Sequence, residues 1–331
     1  MKAWVVERNG EPTDVLEWKD MPDLTPAAGQ IKVAIKAAAL NFPDLLLCRG
    51  KYQITPSLPF TPGMELAGEV VAVGPDVTEW KPGDRVLGVA WTAAGAGGAY
   101  AEYALMQIAD VFRVPEGMPD HEAAGYWLTY GTAWLALHVR GAMKQDDIVL
   151  VHAGAGGVGS AAIQIAKAAG ATVIATAGGP DKKQILTDLG ADHAVDHYSE
   201  DFVQVVKAAT GGRGAHVVVD PVGGDVYDKS TKCIAFEGRI LVIGFTSGRI
   251  AQAATNHVLV KSYSVVGVNW DAYRTRRPEV IPQAEKALSA LYVAGLIRPQ
   301  VSHRYKMSEL PAALAALASR RTIGKVVVVP E

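Results

Sequence analysis

The chain has 331 residues, beyond the roughly 250–300 at which a single core stops growing, so two domains are expected. Hydrophobic residues at 49% and charged residues at 20% exclude wholesale disorder, and 32 basic against 34 acidic residues give no support for a broad nucleic-acid-binding surface. Two cysteines exclude a disulfide framework, a four-cysteine zinc lobe and a cysteine-held iron–sulfur cluster, while 34 glycines, against about 23 at ordinary usage, signal tight turns or close backbone approach.

The segment Met1–Arg8 has no apolar core of signal-peptide length, which points to a cytoplasmic protein. From there to about Pro119, short β-like runs such as Ile31–Ile35, Gly68–Val73 and Arg85–Val89 are separated by Pro and Gly. Lys81-Pro82-Gly83-Asp84 reads as a turn, and the zone predicts a β-rich barrel or sandwich. The Ala/Gly stretch Ala93–Ala99 reads as a mobile or closely packed loop.

From about Asp120 to Asp271 the texture changes. Strand-length runs at Ile148–Val151, Thr172–Ala175, Ala194-Val195, His216–Val219 and Ile240–Ile243 alternate with helical stretches at Ser160–Ala169, Asp181–Leu189 and Phe202–Thr210. Gly170 and Gly190 follow two of those helices as stops. Strands apolar on both faces, alternating with helices, predict a parallel sheet covered on both sides. Ile148–Ala166 lacks Asp, Glu, Lys and Arg over nearly a membrane-span length. Its glycine-rich centre reads as a buried strand–turn–helix, and no membrane partner is expected.

Beyond Arg274 come a helix at Glu279–Ala294, a strand at Val301–Tyr305, a helix at Glu309–Ser319 and the run Lys325–Val329. These are too few for a third domain, so the tail is expected to return to the first. The division expected is 1–121, 122–271 and a returning 272–331.

Gly154-Ala155-Gly156-Gly157-Val158-Gly159 contains G-x-G-x-x-G between an apolar strand and a helix, the context a dinucleotide fingerprint requires. Gly154 permits the tight turn, Gly156 lets backbone approach a pyrophosphate, and Gly159 lets the helix pack closely. The next strand ends Ala175-Thr176-Ala177-Gly178-Gly179 with no acid for a ribose 2′-hydroxyl, and Lys182 and Lys183 follow. That favours NADPH over NADH. For Lys183 a solvated helix face is the simpler role.

With Asn41-Phe42-Pro43-Asp44, Pro62-Gly63-Met64-Glu65-Leu66-Ala67-Gly68, Val73-Gly74, Lys81-Pro82-Gly83-Asp84-Arg85-Val86, Gly98-Ala99-Tyr100-Ala101-Glu102-Tyr103, the fingerprint and Leu189-Gly190-Ala191-Asp192, the chain resembles the zinc-independent quinone oxidoreductases of the medium-chain dehydrogenase/reductase superfamily along nearly its whole length. The resemblance implies an α/β protein. A GroES-like β-rich catalytic domain would be built from both chain ends, with a Rossmann doubly wound parallel-sheet domain between. It implies nicotinamide-side contacts at Asn41, Thr132, Phe245 and Asn269, flanked by Gly244, Val268 and Trp270. Pyrophosphate contacts fall at Gly156, Gly157 and Val158, within Gly154–Gly159. The 2′-phosphate and adenosine contacts fall at Gly178, Lys182, Tyr198 and Arg320. A one-residue register shift exchanges Arg320 with Arg321.

Zinc members of the superfamily carry cysteine and histidine where this chain has Asn41 and Met64, and an amide and a thioether do not replace those ligands. His193 and His197 share H-x-x-x-H spacing, but across a strand four residues span roughly 13 Å, too far for one metal. No zinc is expected, and Cys48 reads as a packing residue. Without a metal to stabilise an alkoxide, the expected chemistry is hydride transfer from NADPH to a quinone or enone.

Tyr52, Asn41 and Asp44 are the candidate catalytic residues. Tyr52 stands where the acceptor would be oriented or its proton relayed, or is an aromatic lining the site. Asp44 positions the Asn41 segment or shapes a turn. Trp127, Trp134 and Trp270 form an aromatic wall or belong to the core, with Trp270 the best placed. His152 reads as a buried, hydrogen-bonded residue, and Leu46 replaces an aromatic residue common in these reductases. An enoyl- or acryloyl-thioester reductase, and a non-catalytic NADPH-binding protein, stay open as alternatives. The strand-like Ser262–Val268, as an edge strand, suggests a homodimer.

Overall fold

The computed structural model describes residues 1–90 and 97–331. The expected loop Ala93–Ala99 thus lies largely outside the described residues. The chain divides into two units: Met1–Leu128 with Pro299–Glu331, and Thr129–Arg298.

The first unit is built on a seven-stranded sheet. Along it run Val301–Lys306, Lys325–Val329, Gln30–Ala39, Glu65–Val73, Arg85–Val89 and Val111–Arg113, and Tyr103–Gln107 also pairs with Gln30–Ala39. The long strand Gln30–Ala39 begins with alternating burial, with Ile31, Val33 and Ile35 inward. That is the period-two pattern of a half-covered sheet. Its far end receives the C-terminal strand antiparallel, Val327 opposite Ala39 and Val328 opposite Ala38. The tail strand carries Val326, Val327 and Val328 at 0% exposure, so its apolar run is covered on both sides. A separate hairpin pairs Lys2–Val6 with Leu16–Asp20.

The second unit holds a six-stranded, wholly parallel sheet. Its order is His193–Asp196, Thr172–Ala177, Ile148–Val151, Ala215–Asp220, Ile234–Val242 and Ser264–Gly267. In chain order this is 3-2-1-4-5-6, the doubly wound arrangement whose strand order reverses beside the first strand. Val149, Leu150 and Val151 and their neighbours Val217, Val218 and Val219 are all at 0% exposure. Helices on the faces therefore cover these central strands. Leu150, Ile174, Val195, Val206, Val218, Ile240, Tyr227 and Tyr263 form part of one buried cluster.

The second unit runs on to Arg298, past the 271 expected from sequence. The helix Val280–Val293 buries Val280, Ile281, Ala284 and Leu288, and Arg298 N donates to Gln164 Oε1 at 2.6 Å. The first unit likewise reaches Leu128 rather than 121. There Trp127 packs on Phe112, ring centroids 4.1 Å apart, and Leu128 N donates to Glu65 Oε2 at 3.2 Å. Helices Trp127–Trp134, which continues as a π-helix over Leu135–Arg140, Gly224–Ser230 and Thr255–Lys261 were not expected. The first is apolar nearly all round, and the other two are seven residues long, so none shows a clear one-sided period. No helix among the described residues is long and apolar enough to cross a membrane.

His152 follows the first strand of the parallel sheet and is 1% exposed. Nδ1 pairs with Thr176 Oγ1 at 3.1 Å and Nε2 with Ser230 Oγ at 2.8 Å. Burial, with a smaller contribution from His197, pushes its pKa down to about 3. The unfolded chain takes up this proton near the ordinary value of about 6.5, and the folded chain does not, so folding loses stability as pH falls below that value. Between pH 7.5 and 5.5 this one group should remove about 1.4 kcal/mol of stability. Urea titrations at both pH values should show a smaller pH-dependent loss in His152→Asn than in the parent, and equal losses would refute the assignment.

Candidate active site

The second unit presents its polar chemistry at the carboxyl ends of its parallel strands, where doubly wound sheets bind ligands. Ile148–Val151 turns through Ala153, held at φ 50°, into the helix Gly157–Ala168. Gly154 N donates to Thr176 O, and Gly156 N to Ala153 O. A Cβ on Gly159 would lie 2.2 Å from Ala153 O, so only glycine lets the helix start this close to the turn. Gly156 is the N-cap and offers no side-chain cap to the first helical amides. Those amides and the helix dipole form a cradle that fits a pyrophosphate.

Thr172–Ala177 ends at Gly178, where a Cβ would lie 2.6 Å from the ring of Tyr198. Tyr198 is 80% exposed and meets His197 edge-on. Sequence reasoning missed what shapes this edge. The Asp196 carboxylate accepts from Gly179 N at 2.8 Å, Tyr198 N at 3.1 Å and Ser199 Oγ at 2.9 Å. Those bonds, led by the one from Gly179, hold its pKa below the usual carboxylate value. The two lysines differ. Both are half-buried; Lys183 is bound to Glu200 at 2.7 Å, and burial shifts the Lys182 ammonium down.

The remaining second-unit candidates follow later strands. Phe245 lies on a turn held to the Pro221–Val222 segment by Thr246 N to Pro221 O and Ser247 N to Val222 O. Gly244 precedes it, and Asp220 Oδ1 accepts from the amides of Val222 and Gly223. Val268 N donates to Val242 O. Asn269 caps the helix Trp270–Arg276, its Oδ1 accepting from Ala272 N at 3.1 Å. Trp270 is buried against Gly131, beside the half-buried Thr132. Trp127 packs on Phe112 within the first unit, and Trp134 packs on His138 within the second.

The first unit contains a buried polar network. Asn41 caps the helix Phe42–Cys48, and Asp44 reaches back to accept from Asn41 N at 2.7 Å. Tyr100 donates its hydroxyl to the same Asp44 Oδ2 at 2.6 Å. Asp44 is wholly buried, and this burial, opposed by its hydrogen bonds and by Lys325, pushes its pKa up to about 7. A carboxyl so enclosed supports positioning of the Asn41 segment. Gly63 O accepts from Ala99 N and Pro62 O from Tyr100 N, locking a second motif to the first.

Lys325 Nζ, only 5% exposed, donates to Leu40 O at 2.9 Å, Asn41 Oδ1 at 2.7 Å and Glu65 Oε1 at 2.7 Å. Asn41 Nδ2 donates to the same Glu65 oxygen at 3.0 Å. Removing one partner of such a pair costs about 3–5 kcal/mol, because the other charge stays buried. Sequence reasoning missed Glu65, Lys325 and Tyr100. The available signal was Lys325 at the head of Lys325-Val326-Val327-Val328-Val329, one charge opening a buried strand. Tyr52 is half-buried, and Arg320 is exposed at φ 58° just past the helix Leu310–Ala318. Arg321 Nε donates to Ser319 Oγ at 3.3 Å.

Residues 27–116 match the family described as alcohol dehydrogenase GroES-like domain, and residues 157–288 match zinc-binding dehydrogenase. The quinone oxidoreductase-like protein 2 homolog of Nematostella vectensis is 36% identical over 300 residues, covering 90% of this chain and 81% of that protein. The solved structure of Escherichia coli quinone oxidoreductase complexed with NADPH is 30% identical, covers 100% of both chains and superposes with a TM-score of 0.90. This chain belongs to the zinc-independent quinone oxidoreductase family of the medium-chain dehydrogenase/reductase superfamily. The CurK enoyl reductase, at 29% identity and a TM-score of 0.88, covers 100% of this chain and 99% of its own.

This superfamily oxidoreductase therefore has a GroES-like unit and a Rossmann unit. Among the described residues no group of three or more His, Cys, Asp and Glu side chains is arranged to hold a metal ion. Cys48 and Cys233 are buried, and burial pushes each thiol up to about 12. Neither should react with a disulfide reagent such as DTNB in the folded protein, and both should react after denaturation. A fast-reacting native thiol would contradict this burial.

Proposed function

We propose that this oxidoreductase transfers a hydride from NADPH to a quinone or another conjugated carbonyl acceptor without a zinc ion. The observation that carries this reading is the donor set of the first unit. Where zinc relatives hold thiolate and imidazole, this chain has Asn41 and Met64, and the Asn41 amide is bound to Lys325 and Glu65. Neither residue type is a customary zinc ligand. NADPH supplies the hydride when bound. The chain's own residues are left to bind, orient and exclude water, which suffices more readily for an electron-poor acceptor than for an alcohol.

In this reading the amides of Gly156, Gly157 and Val158 bind the pyrophosphate, with Gly154 and Gly159 shaping the turn. Gly178, Lys182, Tyr198 and Arg320 receive the adenosine and its 2′-phosphate. Thr132, Gly244, Phe245, Val268, Asn269 and Trp270, with Asn41, serve the nicotinamide side. Tyr52 orients the acceptor or relays its proton, and Asp44 holds Asn41. The protein works in the cytoplasm. The likeness to the CurK enoyl reductase favours enoyl thioesters as the second acceptor class.

NADPH and NADH oxidation measured against a panel of quinones, enones and enoyl thioesters tests the proposal. Turnover of quinones or enones with NADPH preferred is the expected result, and stoichiometric, activity-linked zinc in the purified protein would overturn it. Lys182→Ala should lower the NADPH-to-NADH preference about tenfold, the scale of one lost charge-assisted hydrogen bond. Tyr52→Phe should slow turnover if the phenol relays the proton, and unchanged turnover would remove that role.

We also propose a homodimer through the edge strand Ser264–Gly267. Ser264, Val265 and Gly267 are exposed, and Val265 lies at 37% exposure on the sheet edge. Phe236, Leu259 and Val260, at 73%, 78% and 81% exposure, belong to segments joined by the bond from Glu237 N to Ser262 O beside that strand. An open strand edge bordered by apolar side chains needs a partner or protection. Sedimentation should give a dimer at micromolar concentration that Val265→Pro dissociates, and a stable parent monomer would refute it.

A further inference from the structure

A side-chain amide has two N–H donors and one acceptor oxygen. In Asn41 both donors are spent: Nδ2 donates to Glu65 Oε1 at 3.0 Å and to Ala39 O at 3.3 Å. The oxygen faces the Lys325 ammonium at 2.7 Å. The two ends cannot exchange, because a flipped amide would set its NH2 against an ammonium and its oxygen against a carboxylate. The backbone is fixed as well, since Asn41 N donates to Asp44 Oδ2. Lys325 itself has three N–H donors, and they meet Leu40 O, Asn41 Oδ1 and Glu65 Oε1. None remains to polarise a substrate. Asn41 is half-buried, and with both N–H donors spent the acceptor Oδ1 is the group its amide has left to offer.

We propose that Lys325 and Glu65 are positioning residues that hold the Asn41 amide as a hydrogen-bond acceptor. Asn41 therefore meets a hydroxyl or amide N–H on the nicotinamide half of the cofactor, not the carbonyl oxygen of the acceptor substrate. A carbonyl oxygen has no proton to give, and Asn41 has no free N–H for it. The inference rests on the reading of Asn41 as a nicotinamide-side contact, and it assigns that contact a polarity and a support.

A double-mutant cycle on the full chain tests it, with NADPH affinity read by fluorescence titration and turnover read with 1,4-benzoquinone. One arm is Asn41→Ala. The other is the combined Lys325→Met and Glu65→Gln replacement, which removes both charges together and leaves no lone buried ion. Asn41→Ala should raise the Kd for NADPH about tenfold, the worth of one hydrogen bond, with the KM for quinone little changed. The pair replacement should weaken NADPH in the same direction, and should add no further loss when Asn41 is already Ala. Independent, multiplying effects of the two arms would overturn the positioning role while leaving Asn41 a cofactor contact. A lowered kcat with unchanged NADPH affinity in Asn41→Ala would overturn the assigned polarity. Asn41→Ala silent in both readouts would remove the cofactor reading of Asn41 and the inference with it. Should the pair replacement fail to fold, as a melting curve would show, Asn41→Ala decides the polarity, and Lys325→Arg replaces the second arm in the same cycle.

Discussion

An ammonium group inside a protein must be given oxygens, and the first unit is arranged around giving them to Lys325. Its three acceptors come from the end of the strand Gln30–Ala39, the start of the helix Phe42–Cys48 and the start of the strand Glu65–Val73. Lys325 itself opens the C-terminal strand. One ion pair thereby fixes four chain segments at a point. From Asn41 the network continues through Asp44 to Tyr100, reaching a fifth. Motifs at residues 41–44, 62–68 and 98–103, separate in sequence, form one assembly. The stability gained from such a pair is small once desolvation is counted, whereas misplacing any partner costs several kcal/mol. Its effect is to define geometry.

The Rossmann unit is organised differently. Its central strands are apolar on both faces, and its side-chain chemistry gathers in the turns that follow them. The backbone supplies most of the polar groups there: amides without a side-chain cap at the start of Gly157–Ala168, and a glycine where a Cβ would strike Ala153 O. Asp196 and Asp220 each spend their carboxylates on backbone amides of these turns. The acidic groups of these turns are thereby satisfied internally and shape the loops.

The strands and four helices of the second unit were readable because their apolar runs have strand length and glycines stop helices after them. Gly170 and Gly190 do end helices, with φ 82° and 97°. The helices Gly224–Ser230 and Thr255–Lys261 escaped because seven residues give too few turns for a period to show. The segment Trp127–Arg140 escaped because its apolar residues lie on every side, and its π-helical half follows no 3.6-residue repeat. In the first unit Asn41 and Asp44 were visible through their motif. Lys325 was not, since nothing in the sequence near residue 325 names a partner at residue 65. Likewise Lys182 and Lys183 look alike in sequence, and only the fold gives Lys183 to Glu200.

The pairing of Lys325 with Glu65 spans 260 residues. A ribosome emits Glu65 long before its counter-ion exists, and during that interval the carboxylate has no ammonium to bury against. The strand Gln30–Ala39 likewise waits for Val327 and Val328 to cover its end. The Rossmann unit is one uninterrupted stretch, Thr129–Arg298, and has its own sheet available as soon as it is clear of the ribosome. The Rossmann unit is therefore able to close before the first unit, whose sheet is completed by residues made after it.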